Sequence, residues 1–224
     1  MDSDSSDQYL SRTLIIGTRG SDLALWQARY IQDHLRRLGV ESEYRIIKTQ
    51  GDRVSTLPFS ALQGKGFFTK ELEEALLARE VDLAVHSFKD LATDMPEGLC
   101  SAAMVGREDP SELLLANKDA VDEKREQSGA LLPLRTGAQV GTSAARRQAQ
   151  LKLLRPDLKI ADLRGNVPTR IRKLREGQHD AIILAKAGIV RLALDLENLY
   201  VKALPVAEFV PAPAQGMLAV QCRS

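Results

Sequence analysis

Four short polar motifs follow apolar, strand-like segments of this chain, and they hold most of the side chains that could bind or transform a ligand. They read GTRGS, HSFKD, GTSAARR and LRGNVPTR. Arginine offers a planar fork of donors that suits carboxylates, and the start of a helix also attracts anions. The candidate binding residues in these motifs are Arg19, Ser21, Ser87, Lys89, Thr142, Ser143, Arg146, Arg147, Arg164 and Arg170. Several separate arginines predict a ligand with several separate carboxylates.

Asp90, in HSFKD, is the one acidic side chain of these motifs to which we assign a catalytic role. Among so many cations it is expected to be ionised at neutral pH. An ionised carboxylate can hold N–H groups that become positive in a transition state. The alternative, which spacing alone leaves open, is an ion pair with Lys89 or a neighbouring arginine.

Arg146 and Arg147 lie in the first turn of a predicted helix, where positive charge opposes the helix dipole. They work against the helix unless something anionic binds there, so we interpret these two and Arg164 as anion-binding residues. The more distal basic residues of this region are interpreted as a solvated helix face. These are Lys152, Arg155, Arg172, Lys173 and Arg175.

Composition argues against several other classes of ligand. The net charge is +1 and aromatic residues make up 4% of the chain, so neither a nucleic acid nor a membrane surface is an expected partner. No phosphate-binding glycine motif is present, and the three histidines lack metal-ligand spacing. With no apolar run of about 18 residues, no signal peptide and two cysteines, the sequence predicts a soluble, cytoplasmic protein.

Apolar segments alternate with segments of helical period, which predicts an α/β protein with mostly parallel sheets. The predicted strands are 13–18, 44–49, 83–87, 99–105, 113–116, 140–143, 159–163, 181–185 and 217–222. The clearest helix spans 21–38, with Ser21 as N-cap and Gly39 at its end. A second helix begins at Thr69 and a polar one spans 119–127. Ligands of such folds bind beyond the carboxyl ends of the strands.

Two segments, 107–110 and 210–213, are natural crossings between domains because one is polar and the other rich in proline. Two crossings return the last strand to the first domain. We therefore expect a disordered tail at 1–12, a first domain formed by 13–105 and 216–224, and a second domain at 106–215.

Taken together and in order, the motifs resemble those of the porphobilinogen deaminase (hydroxymethylbilane synthase) family. The resemblance covers nearly the whole chain from residue 13 and includes GKGFFTKELEEALL, GREDP, DAIILAKAG and PAPAQGMLAV. It implies two domains of type II periplasmic-binding-protein-like topology with mixed, mainly parallel sheets, and a third small domain. It also implies head-to-tail condensation of four porphobilinogen molecules with loss of ammonia, in tetrapyrrole (porphyrin and heme) biosynthesis. The partners implied are porphobilinogen and linear oligopyrroles.

The resemblance also implies roles for individual residues. Asp90 contacts the pyrrole nitrogens and stabilises cationic intermediates. The candidate binding residues of the four motifs, except Ser87, bind acetate and propionate side chains. Arg191 joins that carboxylate-binding set, Gln215 matches the glutamine of a GQG motif, and Phe68 lies in a mobile loop over the active site. A dipyrromethane cofactor, attached to a cysteine of the third domain, primes the reaction.

The chain departs from the family pattern at its C-terminal end. It stops at Ser224, so the third domain and the cofactor-bearing cysteine are expected to be absent, and neither Cys100 nor Cys222 lies in a matching motif. Three interpretations stay open: a short but active deaminase, one piece of a split or fused enzyme, or a non-catalytic protein that binds polycarboxylate pyrroles. We expect either a monomer or a chain whose partner supplies the third domain.

Smaller departures occur inside the motifs. Ala144, Ala92 and Ala214 stand where the family often has a serine, a proline and a glycine. The missing hydroxyl at Ala144 removes one hydrogen bond, worth about 0.5–1.5 kcal/mol, which is expected to weaken binding without abolishing it.

Overall fold

The structure is a computed structural model that describes residues 12–49 and 69–224. The described residues divide into two units, one formed by 12–49, 69–107 and 217–224 and the other by 108–216. The chain therefore enters the second unit after Arg107 and returns to the first after Gly216.

Strands and helices alternate along most of the described chain. The strands are β1 (Leu14–Thr18), β2 (Ser42–Ile46), β3 (Leu83–Ser87), β4 (Leu99–Val105), β5 (Glu112–Asn117), β6 (Gln139–Gly141), β7 (Lys159–Ala161), β8 (Ala181–Ala185), β9 (Leu199–Leu204) and β10 (Leu218–Arg223). The helices are α1 (Asp22–Arg37), α2 (Lys70–Leu77), α3 (Glu123–Gln127), α4 (Ala145–Leu154), α5 (Val167–Arg175) and α6 (Lys186–Arg191). Two short 3-10 turns, Phe88–Asp90 and Lys118–Ala120, follow β3 and β5.

Each unit contains a five-stranded mixed sheet. The order is β2-β1-β3-β10-β4 in the first unit and β7-β6-β8-β5-β9 in the second. β1 is parallel to β2 and β3, and β6 is parallel to β7 and β8. β10 and β5 are antiparallel to both of their neighbours, so each is the reversed strand of its sheet. These two are the strands that directly follow the two crossings of the chain.

In the first unit, apolar side chains cover both faces of the sheet. Ile16 and Val85 pack with Ala28 and Ile31 of α1 on one face. On the other face, α2 packs its residues Leu72, Ala75 and Leu76 against Val81, Ala84 and Leu99. Alternate residues of a strand point to opposite faces, so each strand serves both helices.

In the second unit, the strand β5 shows the same division of its residues between two faces. Leu114 and Ala116 pack with Leu151 of α4. On the opposite face of the sheet, Leu113 and Leu115 pack with Leu174 of α5. Both faces being covered explains why this strand reads as a continuous apolar run.

The predicted α/β class with mixed sheets is confirmed, and most predicted strands lie within a few residues of the observed ones. Ser21 is the N-cap of α1, where its hydroxyl accepts from the Ala24 N–H. β9 is a strand that the sequence reasoning missed. The polar helix predicted over 119–127 is present but shorter. It begins only after Asp122, whose carboxylate caps it by accepting from the Lys124 N–H and the Arg125 N–H.

Candidate functional site

The carboxyl ends of the parallel strands β1 and β3 meet at one edge of the first sheet and form a small pocket there. Its volume is about 90 Å³. The pocket is lined by the polar residues Arg19, Ser21, Gln27, Thr69, His86, Ser87 and Asp90, and by Leu23, Ala24 and Val85. Four of the predicted site residues, Arg19, Ser21, Ser87 and Asp90, are therefore brought together within this unit.

Asp90 ends the 3-10 turn that follows β3, and its side chain is exposed. Two backbone hydrogen bonds fix this turn: the Phe88 N–H donates to the Met217 carbonyl at 3.0 Å, and the Leu91 N–H to the Phe88 carbonyl at 3.1 Å. Lys89, also exposed, does not line the pocket. The fold thus presents a solvent-facing carboxylate beside a guanidinium and two hydroxyls.

His86 is a buried member of the pocket that the sequence reasoning did not select. Its Nε2 lies 3.1 Å from the Oε1 of Gln221, whose Nε2 in turn donates to the Glu73 carboxylate at 3.4 Å. Because an ionised carboxylate only accepts, the amide nitrogen of Gln221 faces Glu73 and its oxygen faces His86, so His86 carries its proton on Nε2. Burial, opposed by the bond to Gln221, lowers the pKa of His86 to about 4. His86 is therefore neutral at pH 7.

Two further polar residues on this edge come from the helices. Gln27 of α1 is buried and donates from Nε2 to the Ser87 hydroxyl at 2.8 Å. Thr69, the residue before α2, is also buried, and among the described residues its hydroxyl has no hydrogen-bond partner. Gln27 thus orients Ser87, and Thr69 adds a buried hydroxyl to the lining of the pocket.

In the second unit, Thr142 and Ser143 directly follow β6 and are held by internal hydrogen bonds. The Ser143 hydroxyl donates to the Leu163 carbonyl at 3.1 Å and accepts from the Leu163 N–H at 3.0 Å. Thr142 is buried, and its N–H donates to the Ala161 carbonyl at 2.8 Å. These bonds tie the segment after β6 to the segment after β7, so the two residues shape this edge of the sheet.

Arg146 and Arg147 share a carboxylate partner, Glu112, which is fully buried. Arg147 donates to it through Nε at 2.9 Å and Nη2 at 2.8 Å, and Arg146 through Nη2 at 2.5 Å. Burial alone raises the pKa of Glu112, but the attraction of Arg147 and the hydrogen bonds from both arginines bring that pKa below its usual value. The carboxylate is therefore ionised at neutral pH.

Glu112 supplies the anion that the sequence reasoning sought for the first turn of α4. It comes from the start of β5, where its register partner is Ala185 at the carboxyl end of β8. Arg147 is 6% exposed and is committed to this internal pair, whereas the Arg146 side chain is 27% exposed. Two cations against one carboxylate leave one excess positive charge at this edge. Arg146, whose Nη1 also donates to the Val210 carbonyl, is the more exposed of the two arginines.

Arg164 and Arg170 lie beyond the end of β7 and in the first half of α5. Asn166 caps α5 by accepting from the Thr169 N–H at 2.9 Å, and the Arg170 Nε donates to the Gly165 carbonyl at 2.7 Å. Gly165 has φ +112°, and a Cβ there would approach Thr169 to 2.6 Å. The non-basic residues of RGNVPTR thus build the turn that positions its arginines.

Arg191 and Gln215 are buried and hold the segment that leaves the second unit. Arg191 donates from Nη2 to the Gly216 carbonyl at 2.6 Å, and Gln215 from Nε2 to the Pro110 carbonyl at 2.7 Å. The Glu108 N–H also donates to the Gly216 carbonyl at 2.9 Å. These bonds join the incoming and outgoing segments of this unit. A ligand role for Arg191 or Gln215 stays a prediction.

Phe68 lies outside the residues that the structure describes. Within 12–49 and 69–224, no group of three or more His, Cys, Asp or Glu side chains could hold a metal ion. Over the same ranges, no helix is long and apolar enough to span a bilayer.

The polar residues that the sequence reasoning missed carried weak signals. Gln27 is a polar residue on the apolar face of α1, and His86 interrupts a buried strand. Glu112 is the first residue of β5, whereas the predicted strand began one residue later, at 113. A polar residue inside a buried element needs a partner, but sequence does not say which one.

Solved structures that resemble this one share its fold. One is the ancestral cationic amino acid solute binding protein AncCDT-1, at a TM-score of 0.56 and 16% identity, covering 99% of this chain and 86% of that one. Another is the periplasmic VFT2 domain of Bordetella pertussis BvgS, at a TM-score of 0.55 and 14% identity, covering 98% of this chain and 83% of that one. The predicted periplasmic-binding-protein-like topology is confirmed.

Sequence comparisons point to one family. The family model for porphobilinogen deaminase, dipyromethane cofactor binding domain, matches residues 14–224. The porphobilinogen deaminase of Syntrophomonas wolfei is 47% identical over 215 residues, covering 95% of this chain and 67% of that protein. The porphobilinogen deaminase of Sulfurimonas denitrificans is 48% identical over 212 residues, covering 94% of this chain and 65% of that protein. The chain thus spans about two thirds of the length of these relatives, and it belongs to the porphobilinogen deaminase family.

Proposed function

We propose that this chain carries the substrate site of a hydroxymethylbilane synthase, which condenses four porphobilinogen molecules head-to-tail and releases ammonia. The observation that carries the proposal is the first-unit pocket, where Asp90 lies with Arg19 and two hydroxyls at the carboxyl ends of two parallel strands. A cation suits the carboxylates of porphobilinogen, and an accessible carboxylate suits its N–H groups. Membership of the family supports the same reaction.

In this reaction the protein mainly positions the reacting pyrroles and stabilises the charge that develops on them. The C–N bond within the protonated aminomethyl group breaks and ammonia leaves, so that the methylene carbon stays on the pyrrole as a cationic, electrophilic methylene-pyrrole. The α-carbon of the next pyrrole attacks it, a C–C bond forms, and that carbon loses its proton. Asp90 accepts hydrogen bonds from the pyrrole N–H and stabilises the positive charge that develops there.

The residues of the pocket fit the dipyrromethane that the family model names. A guanidinium and hydroxyls can hold its carboxylates, and Asp90 its pyrrole N–H groups. When bound, the group supplies the nucleophilic pyrrole carbon from which the chain grows. Neither Cys100 nor Cys222 lines this pocket.

Within the second unit, Arg146 is the candidate for a carboxylate contact because its guanidinium is partly exposed while Arg147 is sealed against Glu112. Thr142, Ser143, Arg164 and Arg170 belong to the same proposal as residues at the carboxyl edge of this sheet. A cytoplasmic location, and porphobilinogen and linear oligopyrroles as ligands, are parts of the proposal too.

The test is a pair of Asp90 substitutions measured for both binding and turnover. We expect Asp90→Asn to lower ammonia release from porphobilinogen by about 100-fold or more, because a neutral amide cannot offset the developing charge. We expect Asp90→Glu to keep part of the activity. Binding of porphobilinogen, measured by calorimetry, should change less than turnover.

Asp94→Asn is the matched control, since Asp94 is also exposed and lies outside the pocket. Equal ammonia release by Asp90→Asn and the unsubstituted chain would refute the catalytic role. Binding of porphobilinogen without any ammonia release, by the unsubstituted chain, would instead favour the alternative function of a non-catalytic pyrrole-binding protein.

A further inference from the structure

Cys100 and Cys222 form a pair of facing thiols on adjacent strands. They are direct register partners in the antiparallel pairing of β4 with β10, so their side chains lie on the same face of the sheet. Their Sγ atoms are 3.6 Å apart, and both residues are half-buried and free. Nothing in the proposed reaction uses them.

We propose that this thiol pair is a redox modification site that forms a reversible cross-strand disulfide by exchange with a small-molecule disulfide. Opposed residues of antiparallel strands have Cα atoms about 4.5–5.5 Å apart, which lies inside the range of about 4.4–6.8 Å found for disulfides. Closing the gap between the sulfurs therefore requires only rotation of the two side chains. The backbone pairing of β4 with β10 is kept.

The exchange balances in two steps. The thiolate of one cysteine attacks a sulfur of the external disulfide, forming a mixed disulfide and expelling one thiolate. The second cysteine loses its proton and attacks the protein-bound sulfur, forming the Cys100–Cys222 bond and expelling the second thiolate. The two protein thiols are oxidised by two electrons, and the external disulfide is reduced to two thiols.

The two cysteines differ in their surroundings. Burial and the contact with Cys100 raise the pKa of the Cys222 thiol, and its Sγ lies 3.1 Å from the Arg223 carbonyl, to which it can donate. Cys222 thus keeps its proton more strongly than an ordinary thiol. We therefore assign the first attack to Cys100 and the second to Cys222.

The pair lies away from the pocket. Cys222 is the register partner of Leu83 at the start of β3, whereas Leu218, at the other end of β10, is the partner of Ser87 beside the pocket. The bond would tie β10 to β4, an outer strand of its sheet, and join residues 122 positions apart in sequence. The whole second unit lies within that loop, so oxidation should stabilise the native state.

The experiment treats the reduced 224-residue chain with glutathione disulfide and follows its intact mass. We expect the unsubstituted chain to lose two hydrogen masses, to release two glutathione molecules, and to recover its original mass with dithiothreitol. We expect Cys222→Ser to stop at one bound glutathione, and Cys100→Ser to form no internal bond. The midpoint of thermal unfolding should rise on oxidation by roughly 5 °C or more in the unsubstituted chain alone.

Three results would overturn the proposal: no change in mass, a stable adduct with one or two glutathiones on the unsubstituted chain, or a disulfide between two chains on a non-reducing gel. Because both serine variants remove a thiol far from the pocket, unchanged porphobilinogen binding in the reduced state verifies that they are folded.

Discussion

At the scale of single residues, the buried charge of Glu112 is paired inside its own unit before any ligand is considered. Glu112 has no exposed surface, yet it is ionised because Arg146 and Arg147 both reach it. The sequence interpretation assigned Arg146 and Arg147 to an anionic ligand; the structure gives them an internal partner, Glu112, and their ligand role stays a prediction. The sequence could not identify this partner, because pairing Glu112 with these arginines depends on the place of β5 in the sheet.

Removing the Glu112 charge should destabilise the protein more than removing an exposed carboxylate. We expect Glu112→Gln to lower the free energy of unfolding by about 3–5 kcal/mol, because it leaves buried arginine charge without its partner. Urea unfolding measures the change. Glu176→Gln is the control: its partner Arg172 is 62% exposed, so its loss should cost less than about 1 kcal/mol. Equal effects of the two substitutions would contradict the buried-pair interpretation.

His86 should make stability depend on pH between about 6.5 and 4. Its pKa in the folded state, about 4, lies below the ordinary value of 6.5, so the unfolded state binds a proton first as the pH falls. The stabilisation is complete above pH 6.5 and is lost as the pH falls toward 4. From pH 7 to pH 5, the free energy of unfolding should fall less in His86→Gln than in the unsubstituted chain. We expect the two falls to differ by on the order of 2 kcal/mol.

Denaturant unfolding at the two pH values measures this difference. The pKa of His179 is lowered as well, chiefly by burial, so some pH dependence should remain in the variant. An identical pH profile for His86→Gln and the unsubstituted chain would mean that His86 is not held neutral by its surroundings.

At the scale of elements, local chemistry predicted both ends of α1, but it did not predict the strand β9. The ends of α1 followed from Ser21 and Gly39, which act within one turn of the helix. β9 was missed because its buried residues Leu199 and Leu204 enclose a half-exposed, weakly apolar run. What makes it a strand is its pairing with β5, which is distant in sequence.

Gly165 should be needed for the turn that carries Arg164 and Arg170. We expect Gly165→Ala to destabilise the protein by about 1–3 kcal/mol, since it combines a positive φ with a clash against Thr169. It should also weaken porphobilinogen binding by displacing the two arginines. Calorimetry and urea unfolding test both effects.

Gly177→Ala is the control for that substitution. Gly177 also has a positive φ, +73°, but a Cβ there would meet nothing within 4 Å. Gly177→Ala should therefore lower the free energy of unfolding only through backbone strain and leave porphobilinogen binding unchanged. Equal effects of the two alanines on binding would show that the Gly165 turn does not position the site.

At the scale of the whole molecule, the two units repeat one sheet topology, and the candidate site residues gather where their parallel strands end. The alternation of strands and helices predicted this class of fold, because each strand must be buried between helices. The sequence could not predict that the reversed strand of each sheet is the one that follows a crossing. That placement brings Glu112 to the carboxyl edge of β8 and Gln221 to His86.

If the pocket around Asp90 builds a chain of pyrroles, native mass spectrometry after brief exposure to porphobilinogen should detect the growing chain on the protein. We expect a ladder of protein species that differ by single pyrrole units, and a ladder stalled at its first step in Asp90→Asn. No retained pyrrole on the unsubstituted chain, or the same ladder in both proteins, would contradict this expectation.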